Sequence, residues 1–148
     1  MLCSVLHLLV DGLCVCCLYL MASSDDWYSP LSSAWHLVGI FLTYNILAFL
    51  TQPLIGLWAD RMERRHWMLL ASVLLLTTAV LATSIVISYG LMSKGVMVVA
   101  ILLGMGNSLF HVWGGKQVAI TTSNDMRALG AFVSTGAFGL ALGIVFFS

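Results

Sequence analysis

Long apolar runs separated by short polar links organise this sequence. The runs extend over about 2–22, 35–58, 67–89, 95–113 and 128–147, beginning at Leu2, Trp35, Trp67, Gly95 and Ala128. A bilayer core of about 30 Å takes roughly 20 mostly apolar residues per crossing helix. Backbone groups in lipid must find their partners inside the segment, so each run is predicted to be a transmembrane helix. The pattern therefore predicts an all-α integral membrane protein with five transmembrane helices. The first link, Ser23-Ser24-Asp25-Asp26-Trp27-Tyr28-Ser29-Pro30, combines acid, interface-seeking aromatics and a turn-forming proline.

Composition agrees with that pattern. Of 148 residues, 61% are hydrophobic and 8% charged, and the mean hydropathy is +1.04, a balance that a water-soluble domain cannot hide. Six basic and six acidic residues cancel without forming a basic patch, which argues against a nucleic-acid partner. The stretch from Met1 to Met21 has no Lys or Arg and carries His7 and Asp11, so it reads as a retained first helix and not as a cleaved leader. Cys3, Cys14, Cys16 and Cys17 all fall in that helix, where they read as small packing residues. No spacing in the chain suggests a metal site, a disulfide or a cofactor.

Basic residues set the expected orientation, because Lys and Arg resist translocation. Arg61, Arg64 and Arg65 fall between spans two and three, Lys116 and Arg127 between four and five, and only Lys94 lies in a link of opposite parity. Both basic links are expected in the cytoplasm, together with the N-terminus, and the Asp25-Asp26 link outside. The chain is expected to be a multi-pass protein of the cell's plasma membrane.

Ionisable and amide side chains within the spans are the candidate site. Placing an ionisable group mid-membrane costs about 2.5 to 3.5 kcal/mol on insertion scales, so such groups face a bundle interior or a watery cavity. His7 and Asp11 stand one helical turn apart on one face, where a carboxylate and an imidazole can load and release a proton near neutral pH. The alternative is that His7 reaches to the interface while Asp11 bonds a neighbouring helix. Asn107 and His111 repeat the spacing in span four, beside Ser108. Span two offers Asn45 and Gln52, seven apart on one stripe, with Tyr44 and Thr51 on the next. Each polar residue alone reads equally as interhelical glue. In span five, Gly139 and Gly143 form a small-residue face that lets another backbone approach closely.

The segment Gly56-Leu57-Trp58-Ala59-Asp60-Arg61-Met62-Glu63-Arg64-Arg65 resembles the signature turn of the major facilitator superfamily, with Glu63 where the family usually has glycine. His7, Asp11, Gln52-Pro53, Phe110-His111 and Gly136-Ala137-Phe138-Gly139 resemble the fosmidomycin-resistance-like exporter branch, although Val112 follows His111 where that branch commonly has proline. The resemblance covers all five spans. It implies an incomplete N-terminal six-helix bundle of a major facilitator fold, one of two bundles that rock about a midplane site.

It further implies proton-coupled export of a small molecule. His7, Asp11 and His111 would be the proton or substrate residues, and Asn45, Gln52 and Asn107 would line the cavity. Gly56, Asp60, Arg61, Arg64 and Arg65 would belong to a conformational latch whose other half lies in helices beyond this chain. A proton crossing 100 mV supplies about 2.3 kcal/mol, and each pH unit adds about 1.4 kcal/mol. The partners implied are the lipid bilayer, protons, a small-molecule substrate, and the missing C-terminal helices or a partner chain. A different reading is a small membrane subunit or homo-oligomer without transport activity of its own. An enzyme is not expected, since no nucleophile stands with a base and no carboxylates are paired.

Overall fold

The structure is a computed structural model and describes residues 1–23, 30–61 and 66–147. The Asp25-Asp26 link and two residues of the expected latch, Arg64 and Arg65, lie outside the described residues. The elements are α1 (Leu2–Ala22), α2 (Pro30–Asn45), a π-helical turn (Ile46–Leu50), α3 (Gln52–Asp60), α4 (His66–Ser88), α5 (Met92–Thr121) and α6 (Met126–Phe147). With α2, the π turn and α3 forming one span, five helical segments are long and apolar enough to cross a membrane. This is the architecture of a multi-pass helical membrane protein.

Span four differs from the expected end at Trp113, because α5 continues to Thr121. Gly114, Gly115, Lys116 and Gln117 look like a polar link, yet the surroundings keep them helical. Val118 packs with Phe110 and Phe132 in a buried cluster, and Lys116 is held by groups of α3. The helix stops where Ser123 and Asn124 adopt left-handed backbone, φ 53° and 62°, and the Asn124 N–H closes on the Ala119 carbonyl at 2.7 Å. Asp125 then caps α6 by accepting the Arg127 backbone N–H at 2.9 Å. Lys116 and Arg127 consequently sit at helix ends and not in a free link.

The break in span two has a covalent cause. Pro53 carries no N–H for the carbonyl of Phe49 four residues before it, so the hydrogen-bond ladder widens into the π turn just upstream. Thr51 and Gln52 return bonds to the carbonyls of Leu47 and Ala48 at 2.6 and 2.7 Å. One extra residue in the turn rotates everything after it.

Helix α5 is the axis of the molecule. Within its most apolar stretch 61% of residues are buried, against 39% or less in the other spans, and it touches α1, α2, the π turn, α3, α4 and α6. Helix α4 lies along it with the stripe Met68, Ser72, Leu76, Ala79, Thr83 and Val86, and Ser72 donates to the Gly106 carbonyl at 2.7 Å. Helix α1 packs chiefly on α6, and small residues permit that approach. A Cβ on Gly143 would lie 2.9 Å from the Gly12 carbonyl oxygen, and one on Gly139 would run into the Leu8 backbone. The close-approach face expected of Gly139 and Gly143 thus has α1 as its occupant.

Candidate functional site

On α1, His7, Asp11, Cys14, Leu18 and Met21 recur every three to four residues and are all buried, which aims one stripe of the helix at α5 and α6. The apolar part of that stripe joins the main core. Its polar part meets His111, one turn beyond Asn107 on α5.

There three side chains close a triangle. The His7 Nε2 lies 3.1 Å from Asp11 Oδ2, the His111 Nε2 lies 3.0 Å from Asp11 Oδ1, and the two imidazole nitrogens are 2.9 Å apart. His7 and Asp11 are 3% and 2% exposed, so the carboxylate is screened from solvent almost completely. A charge buried in this way needs its partners at hydrogen-bond distance. The two rings meet edge to face at 4.3 Å, and His7 stacks on Phe132 at 4.2 Å. Its Nδ1 donates to the Phe132 carbonyl of α6 at 2.7 Å. A carbonyl can only accept, so that bond fixes which His7 nitrogen carries a proton.

Gln52 of α3 extends the cluster, donating from Nε2 to His111 Nδ1 at 3.0 Å. The Ser108 hydroxyl donates to Thr51 Oγ1 at 2.8 Å, since Thr51 spends its own proton on Leu47. Asn107, fully buried, donates to the Tyr44 hydroxyl at 2.8 Å, while its Oδ1 finds no partner among the described residues. The Tyr44 hydroxyl also meets the Cys14 thiol. These polar contacts, in three separate groups, form a seam along α5 that reaches α1, α2 and α3, with α6 supplying a carbonyl.

Asn45 does not join this seam. It is exposed, and its amide turns back to the Phe41 carbonyl at 2.7 Å. The π turn explains the difference: an ideal helix aligns residues seven apart, and one extra residue moves the alignment with Gln52 from Asn45 to Tyr44. Neither Tyr44 as the inward residue nor Gly136 as a neighbour of the triad is evident from spacing. Gly136 of α6 leaves the room in which the His7 ring and the Asp11 carboxylate sit.

Of the expected latch, Gly56 and Asp60 lie in α3 and Arg61 follows it, exposed. Asp60, whose latch partner is expected in helices beyond this chain, also has an ion-pair partner within it. Lys116 of α5 forms an ion pair with its carboxylate and donates to the Gly56 carbonyl at 3.2 Å. This brings the ends of spans two and four together at one end of the bundle. A cleft of about 1140 Å³ opens among Met1, Val5, His66, Trp113 and Gln117 and includes no residue of the triad.

The triad can hold and pass a proton, and by distance alone it meets the needs of a metal centre. Its ligand atoms all lie within 4.8 Å of one another, a grouping that the linear spacing of the residues did not reveal. Compared with known protein families, with curated proteins and with solved structures, the chain matches none.

Proposed function

We propose that this chain is the N-terminal part of a secondary active transporter that exports a small molecule in exchange for protons, with His7, Asp11 and His111 as the proton site. The observation that carries the reading is the buried triangle itself. A carboxylate withdrawn from solvent between two imidazoles, where the first, fifth and sixth helical elements meet, is expensive in lipid and serves no packing need that apolar residues could not meet. Such a group earns its place by changing charge.

In this reading the deprotonated triad is a buried negative charge that calls for neutralisation. A proton from one side, or a cationic or polar substrate reaching the seam, supplies it, and alternating access makes the two exchange. Gln52, Asn107 and Tyr44 would line the path, and Asn107 Oδ1 offers an acceptor with no partner among the described residues. The resemblance of Gly56 to Arg65 to a major facilitator signature supports the same reading, with the basic ends of the spans in the cytoplasm and the membrane that of the cell surface. The helices that complete two bundles would come from a further segment or a partner chain.

The reading is tested by pH-driven efflux from vesicles that hold the assembled transporter. Asp11→Asn should abolish the dependence on the pH gradient while leaving the helical content unchanged, and undiminished efflux would overturn the assignment. If the chain instead forms a defined oligomer in detergent and no pH-driven flux accompanies it, the subunit reading takes its place.

A further inference from the structure

By distance the triad would suit a divalent transition metal, for which two imidazoles and a carboxylate are a familiar ligand set. The support of His7 by the Phe132 carbonyl is also what a metal-bound histidine receives. What decides between a metal and a proton is the tautomer of His111.

Metal ligation at His111 needs a lone pair on Nε2 directed inward. Gln52 works against that. Its side-chain atom 2.7 Å from the Ala48 carbonyl oxygen must be the amide nitrogen, because an oxygen there would face another acceptor. The same nitrogen lies 3.0 Å from His111 Nδ1 and presents its second proton to it. His111 Nδ1 therefore accepts, and in the neutral ring the proton sits on Nε2, aimed at Asp11 Oδ1 and His7 Nε2. His7 is held in the opposite tautomer by Phe132, with its Nε2 lone pair turned inward.

The protons can then be counted around the triangle. The His111 Nε2–H serves the 3.0 Å edge to Asp11 Oδ1, and it can bond to His7 Nε2 at 2.9 Å only while that nitrogen keeps its single lone pair free. The third edge, His7 Nε2 to Asp11 Oδ2 at 3.1 Å, sets two acceptors face to face unless one more proton lies between them. That proton is the exchangeable one. With it the triad is neutral, and without it the triad carries one negative charge. Among the described residues the other titratable groups at the site are the Cys14 thiol from α1 and the Tyr44 hydroxyl from α2; α3, α5 and α6 add the neutral groups Gln52, Asn107, Ser108 and the Phe132 carbonyl.

We propose that Gln52 is a positioning residue that locks His111 in its Nε2–H form, and so makes the triad a site for a single exchangeable proton that is closed to divalent metal ions. This rests on the reading of the triad as the coupling site, but its readouts do not involve transport. The first is the ring ¹⁵N spectrum of the 148-residue chain in detergent, with His111 selected by paired labelling because Phe-His occurs once in the sequence. The expected result is His111 protonated at Nε2 and His7 at Nδ1. A His111 protonated at Nδ1 would overturn the proposal.

The second is titration with Co²⁺ alone, read by its visible absorption. The unaltered chain should show no band that depends on His111. Gln52→Leu, which frees the tautomer without adding a ligand, should bind Co²⁺ about 10-fold more tightly or better, a typical size for a change next to a metal ligand. Equal binding by both proteins, with helical content unchanged, would overturn the proposal. The spectrum of the unaltered chain decides even if the variant does not fold. These outcomes holding while pH-driven efflux fails would overturn the transport reading alone.

Discussion

Gly136→Ala places one methyl group on the triad and tests whether helix packing and site geometry are a single structure. A Cβ at position 136 would lie 2.5 Å from Asp11 Oδ2 and 2.5 Å from His7 Cε1. Non-bonded heavy atoms settle at roughly 3.5 to 4.0 Å, so about one ångström of relief is needed. Retreat of helix α6 would open its close backbone packing on α1, where Gly139 abuts Leu8 and Gly143 abuts Gly12. The side chains must move instead, and His7 then gives up its 2.7 Å bond to the Phe132 carbonyl. Overpacking of this kind costs about 1 to 3 kcal/mol. Gly130→Ala is the internal standard: its Cβ would meet nothing within 4 Å, and relief of glycine's helix penalty should gain roughly 0.5 to 1 kcal/mol. Unfolding of both variants in detergent, followed by circular dichroism, gives the difference. The His7 ring ¹⁵N signal should shift in Gly136→Ala and stay in Gly130→Ala. Equal stability of the two variants with an unmoved His7 signal would refute the packing of α6 on the triad.

Two further perturbations reach other parts of the structure. Tyr44→Phe removes the one hydrogen-bond partner that the side chain of fully buried Asn107 has among the described residues, and should cost about 1 to 3 kcal/mol of stability; an unchanged unfolding transition would show that the Tyr44–Asn107 bond does not exist. Lys116→Met breaks an ion pair whose Asp60 side chain is 67% exposed, so stability should change by no more than about 1 kcal/mol. In the transporter proposed above the same variant should alter the labelling rates of the half-buried thiols of Cys3 and Cys16 from the two sides of the membrane, and unaltered rates would remove the proposed latch role.

The parts of the fold set by chain length and lipid are legible in the sequence, and the parts set by register and packing are not. The run from Leu2 to Ala22 reads directly as α1, because an apolar stretch of that length has one solution in a bilayer. Which side of a helix faces inward is harder to read, since lipid and core are both apolar. Helix α4 buries its Ser72 and Thr83 and exposes Leu74 and Leu81, the reverse of a soluble helix. The end of span four is hidden because Gly114 to Gln117 resemble a link, and their helical form rests on contacts made in space with Gly56, Asp60 and Phe132.

The site shows the same division. His7 and Asp11 are one turn apart, and a regular helix makes them neighbours. His111 stands out as an ionisable residue in an apolar run, but its meeting with Asp11 depends on how α1 and α5 cross. Tyr44 replaces Asn45 on the inward face through the π turn before Pro53, a change that no fixed period anticipates.

The central claim is that Asp11, held between His7 and His111, carries the coupled proton. It is tested most directly by the pH dependence of efflux in vesicles holding the assembled transporter, with and without Asp11→Asn. The account predicts that the variant inserts with the same helical content and loses all response to an imposed pH gradient. Efflux from the variant that still rises with the gradient as it does without the substitution would contradict it.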